Sequence, residues 1–290
     1  MRIVYHLGAH CTDEDRLVRC LLKNRAVLAD QGIAIPAPTR YRKLLRDTSI
    51  ELKGGAASAE MQGSILGQIV GEQAADRVVL SWDSFLGFPT WAARDGLYSY
   101  SGERALSFTQ IFPFLDAEFH LAIRNPATFL PALQEKVATR STEDILTGLD
   151  PRGLLWSDTV RRILHHCPNV PLTVWCDEDT PLIWNEVLQA VSGHGAEVSL
   201  TDTDELMSIL LTPEGFTRMR AYVAAHPPAG VSQRRRVMTA FLERFQRNDQ
   251  ITVELDTPGW TQDLVDDLTA RYHADVALIR TMPGVRFLSA

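Results

Sequence analysis

Short apolar runs alternate with helix-like segments along the first two thirds of the chain. Four runs rich in β-branched and aromatic residues predict buried strands, over residues 2–7, 77–81, 118–123 and 171–176. A shorter run at residues 33–35 predicts a further strand. Apolar residues recur at helical spacing between them, which predicts helices over residues 12–31, 59–75 and 103–115. This alternation predicts an α/β protein with a mostly parallel central sheet.

The pattern changes beyond about residue 200, where the strand signal fades. Amphipathic helices are predicted over residues 204–211, 213–225 and 233–246, and a last helix carries Trp260, Leu264, Leu268 and Tyr272 on one face. No internal repeat, low-complexity segment or long linker divides the sequence. We therefore expect one domain over residues 1–290, with an α/β core over about 1–200 and a helical C-terminal part over about 201–290.

Composition and charge narrow the classes of function. With 45% hydrophobic residues the chain can bury a sizeable core, and its formal net charge of -7 would repel the phosphates of nucleic acids and anionic lipids. No apolar run is long enough to span a bilayer, and the N-terminus lacks a signal-peptide pattern. The cysteines form no CxxC pair. We expect a cytoplasmic protein with free thiols and no nucleic acid or membrane partner; the sequence leaves its oligomeric state open.

The turn after the first strand is a candidate anion site. Gly8 ends the strand, and residues 8–12 lead into a predicted helix, whose free amide groups and positive dipole end attract phosphate or sulfate. The alternative is a simple helix start, because Thr12 and Asp15 resemble a capping box and an acidic first turn complements the helix dipole. Both interpretations stay open at this point.

Residues 6–15, which read HLGAHCTDED, resemble the 5′-phosphosulfate-binding loop of the sulfotransferase family. Bacterial members of that family often read H-x-G-x-x-K-T-G-[ST]-[ST] here. His6, Gly8 and Thr12 match this pattern.

Further similarities follow in the order of the family's motifs. Residues 80–85 (LSWDSF) look like the strand end that carries the family's general base, and residues 122–126 (AIRNP) look like its 3′-phosphate-binding Arg-x-Pro motif. Near the C-terminus, residues 258–260 (PGW), 272–275 (YHAD) and 282–285 (MPGV) are similar to the endings of bacterial members. The matching segments are spread over most of the chain.

The resemblance implies a P-loop NTPase-like three-layer sandwich that transfers a sulfuryl group from 3′-phosphoadenylyl sulfate to a hydroxyl acceptor, either a small molecule or a carbohydrate. It implies that Asp83 is the catalytic base and that no metal ion takes part. The residues that would bind the nucleotide, as the donor or as its product adenosine 3′,5′-bisphosphate, are Gly8, Ala9, His10, Cys11, Thr12 and Arg124. Two alternatives stay open: Asp83 could cap the next turn, and Arg124 could pair with a carboxylate such as Asp83.

The chain departs from the family at the phosphate-binding turn. Cys11 stands where the family has a lysine, and Asp13, Glu14 and Asp15 replace a glycine and two hydroxyl residues. At about 6 Å, each carboxylate would repel a phosphate charge by roughly 1–3 kcal/mol. The helix dipole attracts the same charge by only about 0.3–1 kcal/mol. The turn is therefore expected to bind anions less strongly than the family's loop.

The second phosphate motif also departs from the family. The expected serine falls at Ala132, and the preceding Pro131 predicts an interrupted helix. These departures keep a second function open, a non-catalytic binding or interaction protein that uses the helical C-terminal part as its working surface. A third candidate function is that of a P-loop kinase, with Asp83 as a metal-binding acid. The chain lacks the Gly-Lys-Ser/Thr sequence of such kinases.

Two groups of residues contain side chains that can bind zinc, but neither group has the spacing of a zinc motif. The first comprises His6, His10, Cys11 and Cys20, and the second comprises residues 165–167 with Cys176. We therefore expect no metal. The basic run at residues 234–236 is expected to form a solvated or salt-bridged helix face.

Overall fold

Six strands form one sheet in the computed structural model, which describes residues 1–138, 145, 148–251 and 259–290. They are β1 (Arg2–His6), β2 (Ile33–Ala34), β3 (Arg77–Ser81), β4 (Asp116–Ile123), β5 (Leu172–Cys176) and β6 (Val285–Leu288). Their order across the sheet is β2-β3-β1-β4-β5-β6, and every neighbouring pair is parallel. The predicted parallel sheet is confirmed. Residue 258, in the PGW segment, lies outside the described residues.

Helices cover both faces of the sheet, so the chain forms three layers as expected. They are α1 (Arg16–Lys23), α2 (Arg25–Ala29), α3 (Pro38–Leu52), α4 (Ala59–Val70), α5 (Ser101–Thr109), α6 (Pro126–Ala138), α7 (Trp156–His166), α8 (Thr180–Ser192), α9 (Glu205–Leu210), α10 (Pro213–Ala225), α11 (Val231–Phe245), α12 (Asn248–Ile251) and α13 (Gln262–Arg280). The sheet face that carries Ile3 and Tyr5 packs against α3 to α7 and α13. The opposite face, which carries Val4, packs against α1, α2 and α8.

The C-terminal part is mostly helical, but it also completes the sheet. Helices α9 to α11 share a small core around Met207, Met219 and Met238, which rests against Leu182 of α8. After α13 the chain returns to the sheet as edge strand β6, so the expectation that strands end near residue 200 is wrong. The four-residue pattern of β6, with exposed Arg286 between two partly buried residues, is too short to predict a strand. No helix within the described ranges is long and apolar enough to cross a membrane.

Helix α3 was not predicted, because the prolines at its start also end the preceding strand pattern. Pro38 is the first residue of the helix, where its missing N–H group is not needed and its fixed φ favours the helix. Tyr41 and Leu45 bury one face of α3 in the core. The Tyr41 hydroxyl accepts from the Ser81 amide (2.9 Å) and lies 2.7 Å from the Ser81 carbonyl, which fixes the end of β3.

The interruption expected at Pro131 does not occur, and α6 runs through this residue. A proline inside a helix cannot donate to the carbonyl four residues earlier, which here belongs to Ala127. The indole Nε1 of Trp260 donates to that carbonyl instead, at 2.9 Å. A side chain from the C-terminal part thus replaces the missing helical hydrogen bond.

We expect Trp260→Phe to lower the free energy of unfolding by about 1–3 kcal/mol, because the buried Ala127 carbonyl would lose its donor. Urea unfolding followed by circular dichroism measures this difference.

The matched experiment repeats the substitution in a Pro131→Ala background, where the helix regains an N–H group that can donate to Ala127. In that background, Trp260→Phe should lower the free energy of unfolding by clearly less than in the wild type. An equal decrease in both backgrounds would mean that the indole contributes only by packing.

Candidate functional site

The carboxyl ends of β1 and β4 meet where the strand order of the sheet reverses. From β1 the chain builds β2 and β3 on one side and then crosses to build β4, β5 and β6 on the other. In an open parallel sheet, ligands bind in the crevice outside such a reversal. The turn after β1 and Arg124 after β4 both lie at this crevice.

Gly8 brings the β1 turn against the exit of β3. Its φ is +51°, a left-handed conformation that strains other residues. A Cβ atom at this position would lie 3.4 Å from the Asp83 Cα. The turn and the backbone at Asp83 are therefore in direct contact.

Residues 11–15 do not form the helix start that the sequence pattern suggested. Cys11, Glu14 and Asp15 have φ values of 58°, 49° and 64°, and α1 begins only after Asp15. The Thr12 hydroxyl donates to the carbonyl three residues earlier (2.7 Å), so the capping box is absent from this described segment. Left-handed residues of this kind cost on the order of 1–3 kcal/mol each, and such strain concentrates at ligand sites.

His10 is buried beneath Tyr98. The His10 amide donates to the Tyr98 hydroxyl oxygen (2.9 Å), which also lies 2.7 Å from the His10 Nδ1. The Tyr98 hydroxyl has one proton and two lone pairs, so it can bond to both the His10 amide and the His10 ring. The His10 ring is thereby fixed against the Tyr98 ring, with the two centroids 5.8 Å apart.

The amide groups of Gly8, Ala9 and Cys11 donate no hydrogen bond to any residue that the structure describes. All three residues are buried. Such amides can donate to water or to a bound partner. A phosphate or sulfate group is one that accepts several such donors at once.

Arg124 lies against the β1 turn. Its Nη1 donates to the Cys11 carbonyl and its Nε donates to the Thr128 hydroxyl at 3.1 Å. The alternative pairing with Asp83 is not found within the described residues, and the Arg124 Nη2 makes no hydrogen bond there. The guanidinium is thus anchored on two sides, while its outer amino group remains available to an anion.

Asp83 is fixed at the exit of β3 by two contacts. Its Oδ2 lies 3.3 Å from the Lys136 Nζ, and its Oδ1 accepts from the Ser84 hydroxyl at 3.1 Å. Burial alone would raise the pKa of Asp83, but His10 and Lys136 hold that pKa below its ordinary value. The carboxylate is therefore ionised at neutral pH.

Lys136, in the last turn of α6, is a site residue that the sequence pattern does not reveal. Its Nζ lies between two carboxylates, 3.3 Å from Asp83 and 3.2 Å from the Glu14 Oε1. Burial would lower the pKa of Lys136, but these two carboxylates raise it, so the amine stays charged. No sequence motif links residues 122 positions apart, and only the packing of α6 beside the turn reveals the contact.

Each of the three turn carboxylates has a partner, which reduces the repulsion that the sequence predicted. Glu14 pairs with Lys136, and Asp15 makes a two-pronged ion pair with Arg42. The Asp13 Oδ2 accepts from an amide in the first turn of α1, at 3.0 Å. The turn is therefore locally compensated in charge rather than strongly acidic.

Cys11 does not replace the lysine that the family carries at this position. Burial raises the pKa of the Cys11 thiol to about 11, although Lys136 and Arg124 act in the opposite direction. The side chain is a neutral thiol at physiological pH. It offers neither a positive charge nor a nucleophilic thiolate.

A cavity of about 630 Å³ opens beside Arg124, between the end of the sheet and the C-terminal helices. Asp177, which follows β5, lines it, and burial raises the pKa of this carboxyl to about 7, with Arg124 acting in the opposite direction. Thr180 and Trp184 also line it, and their Oγ1 and Nε1 have no hydrogen-bond partner within the described residues. The sequence showed an acidic turn at this place but gave no reason to single out Asp177.

The remaining sequence candidates have structural explanations. The described residues contain no group of three or more His, Cys, Asp or Glu side chains that could hold a metal ion. In the basic run, Arg235 pairs with Glu186 (2.8 Å) and Arg234 pairs with Asp204 (3.6 Å). The run therefore fastens α11 to α8 and to the start of α9.

Comparison with known proteins gives a likeness to solved structures. No family model matches the chain, and no curated protein matches it. Among solved structures, a sulfotransferase from Alicyclobacillus acidocaldarius is similar, with 14% identity and a TM-score of 0.41 over 83% of this chain and 95% of that chain. At this identity and TM-score, neither a family nor an activity follows from the likeness.

We expect Asp177→Asn to stabilise the protein at neutral and alkaline pH. The folded-state pKa is raised, so ionising Asp177 destabilises the fold as pH rises from the ordinary carboxyl value toward about 7. The variant and the wild type should have the same free energy of unfolding at about pH 4. By about pH 8, that of the variant should be higher by about 1–3 kcal/mol.

Chemical unfolding at a series of pH values measures this difference. Asp95→Asn, at an exposed position, controls for the loss of one charge. An advantage that does not change with pH would show that Asp177 does not titrate in this range.

Proposed function

We propose that this chain is a sulfotransferase-like protein that binds 3′-phosphoadenylyl sulfate at the crevice between β1 and β4 and transfers its sulfuryl group to a hydroxyl acceptor. The observation that carries the proposal is the contact between Arg124 and the β1 turn. It brings a guanidinium with a free amino group to the same crevice as the unpaired amides of Gly8 and Ala9. Guanidinium and amide groups together suit a doubly phosphorylated nucleotide.

Lys136 supplies the positive charge that is missing at position 11. Its charge acts on the Cys11 thiol, and its amine lies 3.3 Å from the proposed base, Asp83. In sulfuryl transfer, negative charge builds on the oxygen that bridges sulfur and the 5′-phosphate. A lysine amine at this position stabilises that charge.

The transfer balances with the donor, the acceptor and Asp83 as proton acceptor. The acceptor oxygen attacks sulfur, the bond between sulfur and the 5′-phosphate oxygen breaks, and adenosine 3′,5′-bisphosphate leaves. The acceptor's hydroxyl proton passes to Asp83. Since the pKa of Asp83 is lowered, this carboxylate is a weak base, and we expect transfer to be slow.

The same ion pairs favour a second candidate, a protein that binds the nucleotide without turning it over. Glu14 shares the Lys136 amine with Asp83, so a phosphate that reaches Lys136 has to displace the Glu14 carboxylate. A bound product or donor would then release Glu14 and exchange one ion pair for another. The two candidates share a nucleotide site and differ in turnover.

We expect adenosine 3′,5′-bisphosphate to raise the melting temperature of the protein. Ligand at about one hundred times its dissociation constant adds about 2.7 kcal/mol of stability. Each variant is compared with its own melting temperature without ligand, so that a change in basal stability is not mistaken for lost binding. No shift at millimolar nucleotide would contradict both candidates.

Substitutions assign the shift to the site. Arg124→Ala and Lys136→Ala should abolish or strongly reduce it, whereas Cys11→Lys should increase it by adding a charge to the turn. The matched controls are Arg218→Ala on α10 and Lys43→Ala on α3, which remove exposed charges paired within their own helices. Equal losses in the site variants and the controls would contradict the assignment.

Turnover separates the two candidates. Release of adenosine 3′,5′-bisphosphate from 3′-phosphoadenylyl sulfate, measured with a panel of hydroxyl acceptors, should fall in Asp83→Asn if the protein is a transferase. Binding without acceptor-dependent release would favour the non-catalytic protein.

A further inference from the structure

Helix α13 lies against the segment that joins β4 to α6 and carries Arg124. The helix packs on α6 and α7, and three of its side chains make polar contacts there. They are Thr269, Tyr272 and Asp275, of which the last two are buried. The proposed function gives these residues no role, although all three act on the surroundings of Arg124.

Thr269 orients the residue that follows Arg124. The Asn125 Nδ2 donates to the Thr269 hydroxyl at 2.9 Å, and the Asn125 Oδ1 accepts from the Ala127 amide at 3.0 Å. An asparagine oxygen that accepts from an amide in the first turn of a helix caps that helix. The Thr269 hydroxyl therefore holds the side chain that caps α6.

The start of α6 determines where the Arg124 side chain is anchored. The Arg124 Nε donates to the hydroxyl of Thr128, in the first turn of α6, at 3.1 Å. The amides of Thr128 and Phe129 donate to the Asn125 carbonyl at 3.0 and 2.8 Å. A displaced Asn125 would thus move Thr128, and with it one of the two anchors of the guanidinium.

Tyr272 acts on the backbone on both sides of Arg124. Its hydroxyl lies 3.3 Å from the Ile123 carbonyl oxygen and 3.0 Å from the Glu178 Oε2. The other oxygen of Glu178, Oε1, accepts from the Asn125 amide at 2.7 Å. Since Glu178 is exposed, the contact with the buried Tyr272 hydroxyl restricts its rotamers. The backbone before and after Arg124 therefore has partners that involve Tyr272.

A further contact reaches the Arg124 carbonyl through α7. The indole Nε1 of Trp156, the first residue of α7, donates to this carbonyl at 2.7 Å. The Asp275 Oδ2 accepts from the Ser157 amide in the first turn of the same helix, at 3.1 Å. A carboxylate is favourable at a helix N-terminus. Helix α13 thus also holds the helix that carries Trp156.

We propose that α13 positions Arg124 for phosphate binding, with Thr269 and Tyr272 as positioning residues. An arginine side chain that is held in place before the ligand arrives loses less conformational freedom on binding. The Cys11 carbonyl holds the guanidinium from the side of the β1 turn, and α13 holds the backbone from the opposite side. The effect on nucleotide binding rests on the proposed function, whereas the positioning itself does not.

Isothermal titration calorimetry on the whole protein tests the effect on binding. We expect the wild type to bind adenosine 3′,5′-bisphosphate about tenfold or more tightly than adenosine 5′-monophosphate, which lacks the phosphate expected on Arg124. Thr269→Val and Tyr272→Phe each remove a hydroxyl and should reduce this ratio by about threefold or more. The affinity for the monophosphate should not change. A purely structural role would weaken both nucleotides alike and leave the ratio unchanged.

Matched variants control for the loss of a hydroxyl. Thr269→Ser keeps the hydroxyl and should keep the wild-type ratio. Tyr5→Phe and Thr281→Val remove hydroxyls that donate elsewhere, to the carbonyls of Phe108 (3.0 Å) and Leu278 (2.8 Å), and should also keep it. An equal reduction in the controls, or a wild-type ratio in both α13 variants, would overturn the inference.

Hydrogen exchange without nucleotide measures the positioning itself. Peptides that cover residues 124–130 should exchange faster in Thr269→Val than in the wild type, whereas peptides from β1 should not change. Faster exchange in a protein that binds neither nucleotide would reject the proposed function and support the positioning. Unchanged exchange and an unchanged affinity ratio, in a protein that binds the bisphosphate, would reject the positioning and leave the proposed function standing.

Discussion

The hydrogen bond from the Arg124 guanidinium to the Cys11 carbonyl joins two loops that lie 113 residues apart in the chain. It forms because β1 and β4 are neighbours at the point where the sheet reverses its strand order, so their carboxyl ends open into one crevice. The left-handed residues of the turn and the conformation of Gly8 are strained when taken alone. Arg124 on one side and Tyr98 on the other hold them in place.

Charge compensation is the second constraint on this crevice. Three consecutive acidic residues in a candidate phosphate-binding turn are unfavourable by themselves, yet each has a partner from a different part of the fold. Lys136 is central, because it serves both the turn and Asp83. In the proposed function, the amine of Lys136 supplies the positive charge that the turn lacks at position 11.

The sequence predicts the structure correctly where the signal for an element is local. The buried strands were predicted within one or two residues of their bounds, because continuous apolar runs between polar turns leave few alternatives. Placing Arg124 and the β1 turn in one crevice also followed, since parallel strands bring their carboxyl ends to one edge.

The sequence failed where distant parts of the chain decide the outcome. Pro131 stays inside α6 because Trp260 supplies a hydrogen bond that no local pattern contains. Lys136 and Asp177 acquire their importance only from what the fold packs around them. Edge strand β6 owes its existence to pairing with β5, since its own four residues have little strand signal.

A crystal structure of the protein with adenosine 3′,5′-bisphosphate tests the central claim most directly. We expect one phosphate group within hydrogen-bonding distance of the Ala9 or Cys11 amide and the other on the Arg124 guanidinium. A nucleotide bound away from this crevice, or a crevice that stays empty at saturating nucleotide, would contradict a nucleotide site between β1 and β4.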